Sequence, residues 1–393
     1  MNDLSDLNHR DVVTAAQAAL ARTLGESIRI VDVEALSNEE RRNLILRGKA
    51  VRDGGEVRSV VIKATRSARY DPTAETAFGD SGLVKEWVAT AFLATRAPGR
   101  GHGAALLAGD AARGILIFED LGAGLDSLVQ PLLHGSPEAA EGALAAYASA
   151  LGRLHADAAA CSEDHAAALH AAFPLVRRSA SRRLARLEDI AAKIGEHLGD
   201  LPPHDELAQI ARRMDSPGTW LSLVHGDPCP DNALMLARGI RLIDFEFAAP
   251  GHALFDAVYW RLGFPTCWCA GRVPDSVATR VEAIYRAEIG RVIDDASSDT
   301  AFRREMAFMA ATWLFECLSW RLDSALTEDG TWGIASIRSR LLWYLDATIA
   351  MAEEMEILPG LRAVARLWLG ELRNRWPSTE PLALYPAFVT QAR

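Results

Sequence analysis

The sequence predicts an α+β protein of two lobes, a small β-rich N-terminal lobe with one internal helix and a larger, mainly helical C-terminal lobe that contains a short β-hairpin. Three observations predict it: β-type runs cluster before residue 120, helical periodicity dominates afterwards, and strand character returns only near residues 220–243. A chain of 393 residues exceeds the usual single domain, so two cores are expected, and the lobes divide at residues 1–120 and 121–393.

The elements follow in order. Asn8 is placed to cap a helix over Asp11 to Leu24, whose early aspartate suits the helix dipole. Ile28 to Leu36, Asn43 to Arg52 and Val57 to Ala64 read as an antiparallel meander, the last two runs joined by a turn at Asp53, Gly54 and Gly55. Ser81 and Gly82 open a helix that Pro98 and Gly99 end. Ala104 to Ala108 and Gly114 to Phe118 complete a five-stranded sheet about a turn at Gly109 and Asp110. Pro137 to Cys161 and Leu175 to Leu198 have helical spacing, with a linker near Ala172 to Pro174. Strands are expected at Trp220 to Val224, Ala233 to Ala237 and Ile240 to Ile243, then helices over Ala253 to Gly263 and from Asp275 onward.

A net charge of −10 argues against a nucleic-acid partner, which would call for a basic face. The polar N-terminus has no apolar signal core and no apolar run approaches the roughly 20 residues of a membrane span, so a soluble, cytoplasmic protein is expected. Five scattered cysteines suit a reducing compartment. Cys267 and Cys269 could be half of a metal site, but no second Cys or His pair stands at zinc-finger spacing, and structural zinc is not expected.

The segment from Leu223 to Asn232 leaves an apolar strand and becomes a rigid polar loop with two prolines and a glycine, and the hairpin beyond it delivers Asp244 at a strand end. Asn232 and Asp244 supply the oxygen ligands that magnesium prefers. Asp227 is then available as the base that accepts a hydroxyl proton during phosphoryl transfer. Such transfer also needs a cation on the upstream phosphates. Lys63, ending the third strand, is the candidate, with Glu86 on the following helix to fix it.

These residues carry a resemblance. His225-Gly226-Asp227 with Asn232, and Ile243-Asp244-Phe245-Glu246, are similar to the catalytic loop and metal-binding segment of the aminoglycoside phosphotransferase and choline kinase-like family, of protein-kinase-like fold. Leu151-Gly152-Arg153-Leu154-His155 resembles a helix of that family, and Asp256 falls where the family often has a further aspartate, expected to tie the loop. The resemblance implies a small-molecule kinase using ATP and Mg2+, with Lys63 on the α- and β-phosphates, Glu86 paired to it, and the backbone of Glu119 and Leu121 on adenine. His225 is then a brace for the loop. The acceptor would be a hydroxyl of an amine-bearing antibiotic, an amino alcohol or a sugar.

Where the family commonly has glycines between its first two strands, this chain has none from Leu36 to Asn43, and Ser37 and Asn38 are the candidate side-chain donors to phosphate. That loop motivates the alternative reading, a catalytically silent nucleotide or metabolite sensor on the same fold. Pro98 to Gly103 is glycine-rich but follows a helix, the wrong order for a phosphate loop. A protein kinase is disfavoured because only four residues separate Asp244 from Ala249, leaving no room for an activation segment. On the acceptor side, Trp313, Glu316 and Trp320 share a helix face and could hold an amine, as could Trp268; a packed core stripe is the competing reading.

Overall fold

Asn8 caps the first helix, His9–Leu24, by accepting from the Arg10 amide, and Gly25 ends it at φ 72°. The computed structural model describes residues 8–37, 42–67, 70–74, 81–176 and 181–389. Strands β1 (Ile28–Ala35), β2 (Asn43–Arg52), β3 (Val57–Thr65), β4 (Leu106–Asp110) and β5 (Ile115–Glu119) form an antiparallel sheet of order β1-β2-β3-β5-β4. Alternation along β2 sends Leu44 and Leu46 to one face, where they meet Ile62, Ile117 and the Val12, Ala16 and Leu20 stripe of the first helix. Each such aliphatic side chain contributes about 1.5–3 kcal/mol by leaving water.

The helix between β3 and β4, Gly82–Arg96, starts at Ser81, whose hydroxyl accepts from the Val84 amide. It carries Glu86 on its buried side. The turn between β4 and β5 differs from expectation: Gly109 and Asp110 stay in strand, and the chain reverses at residues 111–114, where Gly114 takes φ +64°. Helix Ser162–Ala172, which the sequence reading left unassigned, packs on Gly82–Arg96, with Trp87 edge-on to Phe173 at 5.5 Å.

The chain forms two compact units, one of Met1–Leu125, Ser162–Ala180 and Arg241–Ala249, the other of Asp126–Cys161, Ser181–Ile240 and Pro250–Arg393. In the second, helix Pro137–Asp157 packs on helix Asp275–Ile289. Gly152 makes that crossing close, since a Cβ there would lie 3.0 Å from the Tyr285 carbonyl oxygen. Helices Asp299–Thr327, Ile337–Glu354 and Pro359–Arg375 pack in succession. Short strands β6 (Leu221–Val224) and β9 (Ala249–His252) pair, as do β7 (Ala233–Leu236) and β8 (Gly239–Leu242). Helix Arg183–Leu198 starts later than expected, His204–Asp215 is an additional helix, and the Ala253 to Gly263 stretch is two short helices, Leu254–Ala257 and Tyr259–Leu262. No helix among the described residues is long and apolar enough to cross a membrane.

Candidate functional site

In the first unit, Lys63 points from β3 into a nest of carboxylates. The register places it between Ile45 and Leu116 on the flanking strands, and it is 7% exposed. Its ammonium donates to Glu86 Oε2 at 2.5 Å and to Asp244 Oδ1. Burial alone would pull the Lys63 pKa down, but Glu86, Asp244 and Glu246 outweigh it and hold the group above its ordinary value. Glu86 is pushed up to about 7, by burial first and then by the negative charge of Asp244 and Glu246, with Lys63 opposing. Arg42 pairs with Glu246, and Asn43 Nδ2 reaches the same carboxylate at 3.4 Å. Lys63 and Arg42 thus sit among three carboxylates.

Asp244 holds φ 67°, left-handed backbone that a side chain other than glycine adopts at a cost. Glu246 is a site residue that the sequence reading quoted in its motif without giving it a role. Gly82, at the start of the Glu86 helix, lets Glu246 approach, because a Cβ there would sit 2.9 Å from the Glu246 Cβ.

The proposed nucleotide contacts fare unequally. The Ser37 hydroxyl donates to the Asn43 carbonyl at 3.1 Å and accepts from the Ile45 amide at 2.9 Å, so its proton is committed to closing the β1–β2 turn and not to a phosphate. Asn38 lies outside the described residues. The Glu119 amide donates to the Ala105 carbonyl at 2.9 Å and so is committed within the sheet. Beside Glu119, Asp120 is clamped by Arg47 at 2.8 and 3.2 Å and by the amide of Gly122 at 3.0 Å, which fixes the segment leading to Leu121.

In the second unit the loop from His225 to Asn232 is tied from beneath. The fully buried Asp256 carboxylate accepts from the amides of His225 (2.6 Å) and Gly226 (3.0 Å), and His155 Nε2 lies 3.1 Å from it. His155 in turn meets the Tyr285 hydroxyl at 2.7 Å. The Asp227 amide reaches His225 Nδ1 at 3.4 Å, so His225 accepts within the loop it braces. Tyr147 donates to the Pro228 carbonyl at 2.6 Å.

Donors surround the Asp227 carboxylate: Asn232 Nδ2 at 3.4 Å, the Cys229 thiol at 3.0 Å, and the Thr266 hydroxyl. Asn232 Nδ2 also donates to the Asp227 carbonyl at 3.0 Å, which commits its nitrogen end. Cys229 and Thr266 escaped the sequence reading. Thr266 has no local signal, since it is thirty-nine positions from Asp227 and reaches it only through tertiary structure.

Thr266 also lines a small pocket of about 80 Å³, partly open to solvent, whose other walls include Trp320, Arg321, Trp332, Arg340 and Tyr344. Arg321 and Arg340 lie over the Trp332 ring at 4.7 and 4.8 Å. Of the expected acceptor residues, only Trp320 lines it. Trp313 is 2% exposed, stacks on Phe255 at 4.4 Å and donates its Nε1–H to the Phe255 carbonyl, which makes it core. Glu316 is paired with Arg186, and Trp268 is half-exposed outside the pocket wall. The core-stripe reading therefore holds for Trp313.

The phosphotransferase enzyme family matches over residues 89–284. That span contains Leu151 to His155, His225 to Asn232 and Ile243 to Glu246; Lys63 and Glu86 precede it. No curated protein sequence matches the chain. Similar solved structures include a choline/ethanolamine kinase family protein from Mesorhizobium loti, at 16% identity and TM-score 0.45 over 86% of this chain and 93% of that one. A choline kinase from Cryptosporidium parvum Iowa II has 12% identity and TM-score 0.49, covering 86% of this chain and 93% of its own. A thermostable mutant of aminoglycoside phosphotransferase APH(4)-Ia has 15% identity and TM-score 0.39, covering 86% and 98%. On that match, which spans His225 to Asn232 and Ile243 to Glu246, the chain belongs to the phosphotransferase enzyme family.

Proposed function

We propose that the protein transfers the γ-phosphate of ATP to a hydroxyl of a small molecule, with Asp227 accepting the hydroxyl proton. The observation that carries this reading is the support of Asp227: its carboxylate is held by Asn232, Cys229 and Thr266 on a loop tied to buried Asp256, and Thr266 is also a wall of the solvent-open pocket. The acceptor oxygen forms its bond to the γ-phosphorus, the bond to the β–γ bridging oxygen breaks, ADP leaves, and the proton passes to Asp227. Lys63, oriented by Glu86, binds the upstream phosphates.

The charge around Lys63 suits a divalent cation, since the carboxylates of Glu86, Asp244 and Glu246 gather about its ammonium. Asn232 and Asp244 are the residues that would hold magnesium, which when bound supplies neutralisation of charge on the phosphates. Adenine would be met by the Glu119 carbonyl and the Leu121 amide.

The pocket favours one class of acceptor. Trp320, Trp332 and Tyr344 offer aromatic faces, and no carboxylate lines it among the described residues. Arg340 is occupied by the carbonyls of Cys267, Trp268 and Trp332, whereas the Arg321 guanidinium has only its ring contact among the described residues. A hydroxylated acceptor with a planar or apolar body and an anionic group therefore suits the pocket better than an amine. The test is an acceptor screen coupled to ADP release, with carboxylated aromatic alcohols set against aminoglycosides, sugars and choline. Release with the first group supports the reading. Tight Mg-ATP binding with no product from any acceptor would favour the silent sensor.

A further inference from the structure

We propose that Cys229, Asp231 and Cys267 form a binding site for a thiophilic divalent cation of the zinc class, directly behind Asp227. Their ligand atoms, two Sγ and one carboxylate oxygen, all lie within 4.8 Å of one another. Cys267 Sγ is 3.7 Å from Asp231 Oδ1, and it also meets the Sγ of Cys269 at 3.0 Å. Zinc bonds of about 2.3 Å to sulfur and 2.0–2.2 Å to oxygen put tetrahedral ligand atoms roughly 3.5–3.8 Å apart, so side-chain movements of about 1 Å complete the set.

The site is built, not accidental. Cys229 and Cys267 are 2% and 1% exposed, a setting in which thiols meet each other and not water. The backbone holds both loops: the Asn232 amide donates to the Cys229 carbonyl at 3.0 Å, and Arg340, itself buried, donates to the carbonyls of Cys267 and Trp268 at 2.7 and 3.1 Å. Two facing thiols alone would suit a disulfide. A carboxylate oxygen at ligand distance and a further thiol beside them make the arrangement one for a soft or borderline metal and not for magnesium, which prefers oxygen throughout. Asp231, the partly exposed member, marks the side from which the ion enters.

Occupancy has a direct consequence. The Cys229 thiol donates to Asp227 Oδ1 at 3.0 Å. A cation that takes Cys229 as thiolate releases the thiol protons of Cys229 and Cys267 to solvent and removes that donor from Asp227. Zinc-class ions thereby change the hydrogen bonding of the neighbouring Asp227 carboxylate, at a site distinct from the magnesium that phosphoryl transfer requires.

The test uses the full chain, reduced, metal-stripped and titrated with cobalt(II). Uptake of one ion per chain with a thiolate-to-metal charge-transfer band, bleached by zinc and untouched by excess magnesium, is the expected result. Cys267→Ser should weaken uptake by roughly 10²-fold, the scale on which metal sites respond to loss of a supporting group, while Cys161→Ser leaves it unchanged. Should Cys267→Ser fail to fold, Asp231→Asn, at the accessible edge, carries the same expectation. Absence of the band, uptake unchanged in Cys267→Ser or Asp231→Asn, or a Cys229–Cys267 disulfide in place of a bound ion would overturn the proposal. Metal stoichiometry reads out without any acceptor, so it stands or falls apart from the kinase reading.

Discussion

Replacing Asp256 with alanine tests how the catalytic loop is held. The side chain is wholly buried, accepts from the amides of His225 and Gly226 at 2.6 and 3.0 Å, and lies 3.1 Å from His155 Nε2. Its removal orphans two buried N–H groups and a ring nitrogen. Hydrogen bonds to a charged group are worth about 1.5–3 kcal/mol each, and breaking a buried pair costs about 3–5 kcal/mol. Because the three contacts share one carboxylate they are not additive, and the expected loss is about 3–5 kcal/mol. With a midpoint shift of about 2–4 °C per kcal/mol, the thermal transition should fall by roughly 6–20 °C. Tryptophan fluorescence and near-UV circular dichroism report it. Since Asp256 acts through the loop, kcat measured below the transition should fall while the KM for ATP holds, and Asp256→Asn should recover part of both losses. A transition within about 2 °C of the parent would refute the reasoning.

Other outcomes follow from the same geometry. Lys63→Met leaves Glu86, Asp244 and Glu246 without their ammonium, and turnover should fall by roughly 10²-fold or more, the scale of a lost electrostatic contact. Because Glu86 is already pushed up to about 7 and climbs further without Lys63, the variant's stability deficit should be larger near about pH 8, where Glu86 ionises, than near about pH 6; urea midpoints at the two pH values measure it. Burial lowers the pKa of His252, with Glu305 opposing and Arg213 adding to the effect. The folded protein therefore binds fewer protons there than the unfolded chain and loses stability as pH falls below about 6.5. His252→Gln should flatten that acid limb in urea denaturation. Arg321→Ala should raise the KM for an anionic acceptor by roughly tenfold or more while leaving the KM for ATP in place, as expected for one lost charge-assisted contact.

What was legible in the sequence follows from where polar residues interrupt apolar pattern. The β2–β3 turn announced itself through Gly54 and Gly55, and Gly55 does take φ +80°. His225 to Asn232 stood out because charged and proline residues follow an apolar strand. The β4–β5 turn was misplaced because Gly109 resembles a turn glycine, whereas it is small for a packing reason: a Cβ there would lie 2.4 Å from the Trp87 ring. Strand β9 was missed because Pro250 and Gly251 disguise it.

The Trp313 face failed as a ligand signal because a stripe at helical spacing is also what a core needs, and Trp313 found Phe255. Contacts between distant loops were beyond reach altogether. Nothing near Cys267 in sequence announces Cys229 or Asp231, and nothing near Asp227 announces Thr266. Local spacing, on which no zinc-finger site was expected, carries no information about residues gathered by tertiary structure.

The central claim is that Asp227 takes the acceptor proton, and single-turnover phosphoryl transfer by Asp227→Asn tests it most directly. The substitution keeps the side chain's size and an oxygen for the Thr266 and Cys229 donors, so nucleotide binding should persist while the transfer rate falls by roughly 10²-fold or more. A transfer rate equal to that of the parent protein would contradict the account.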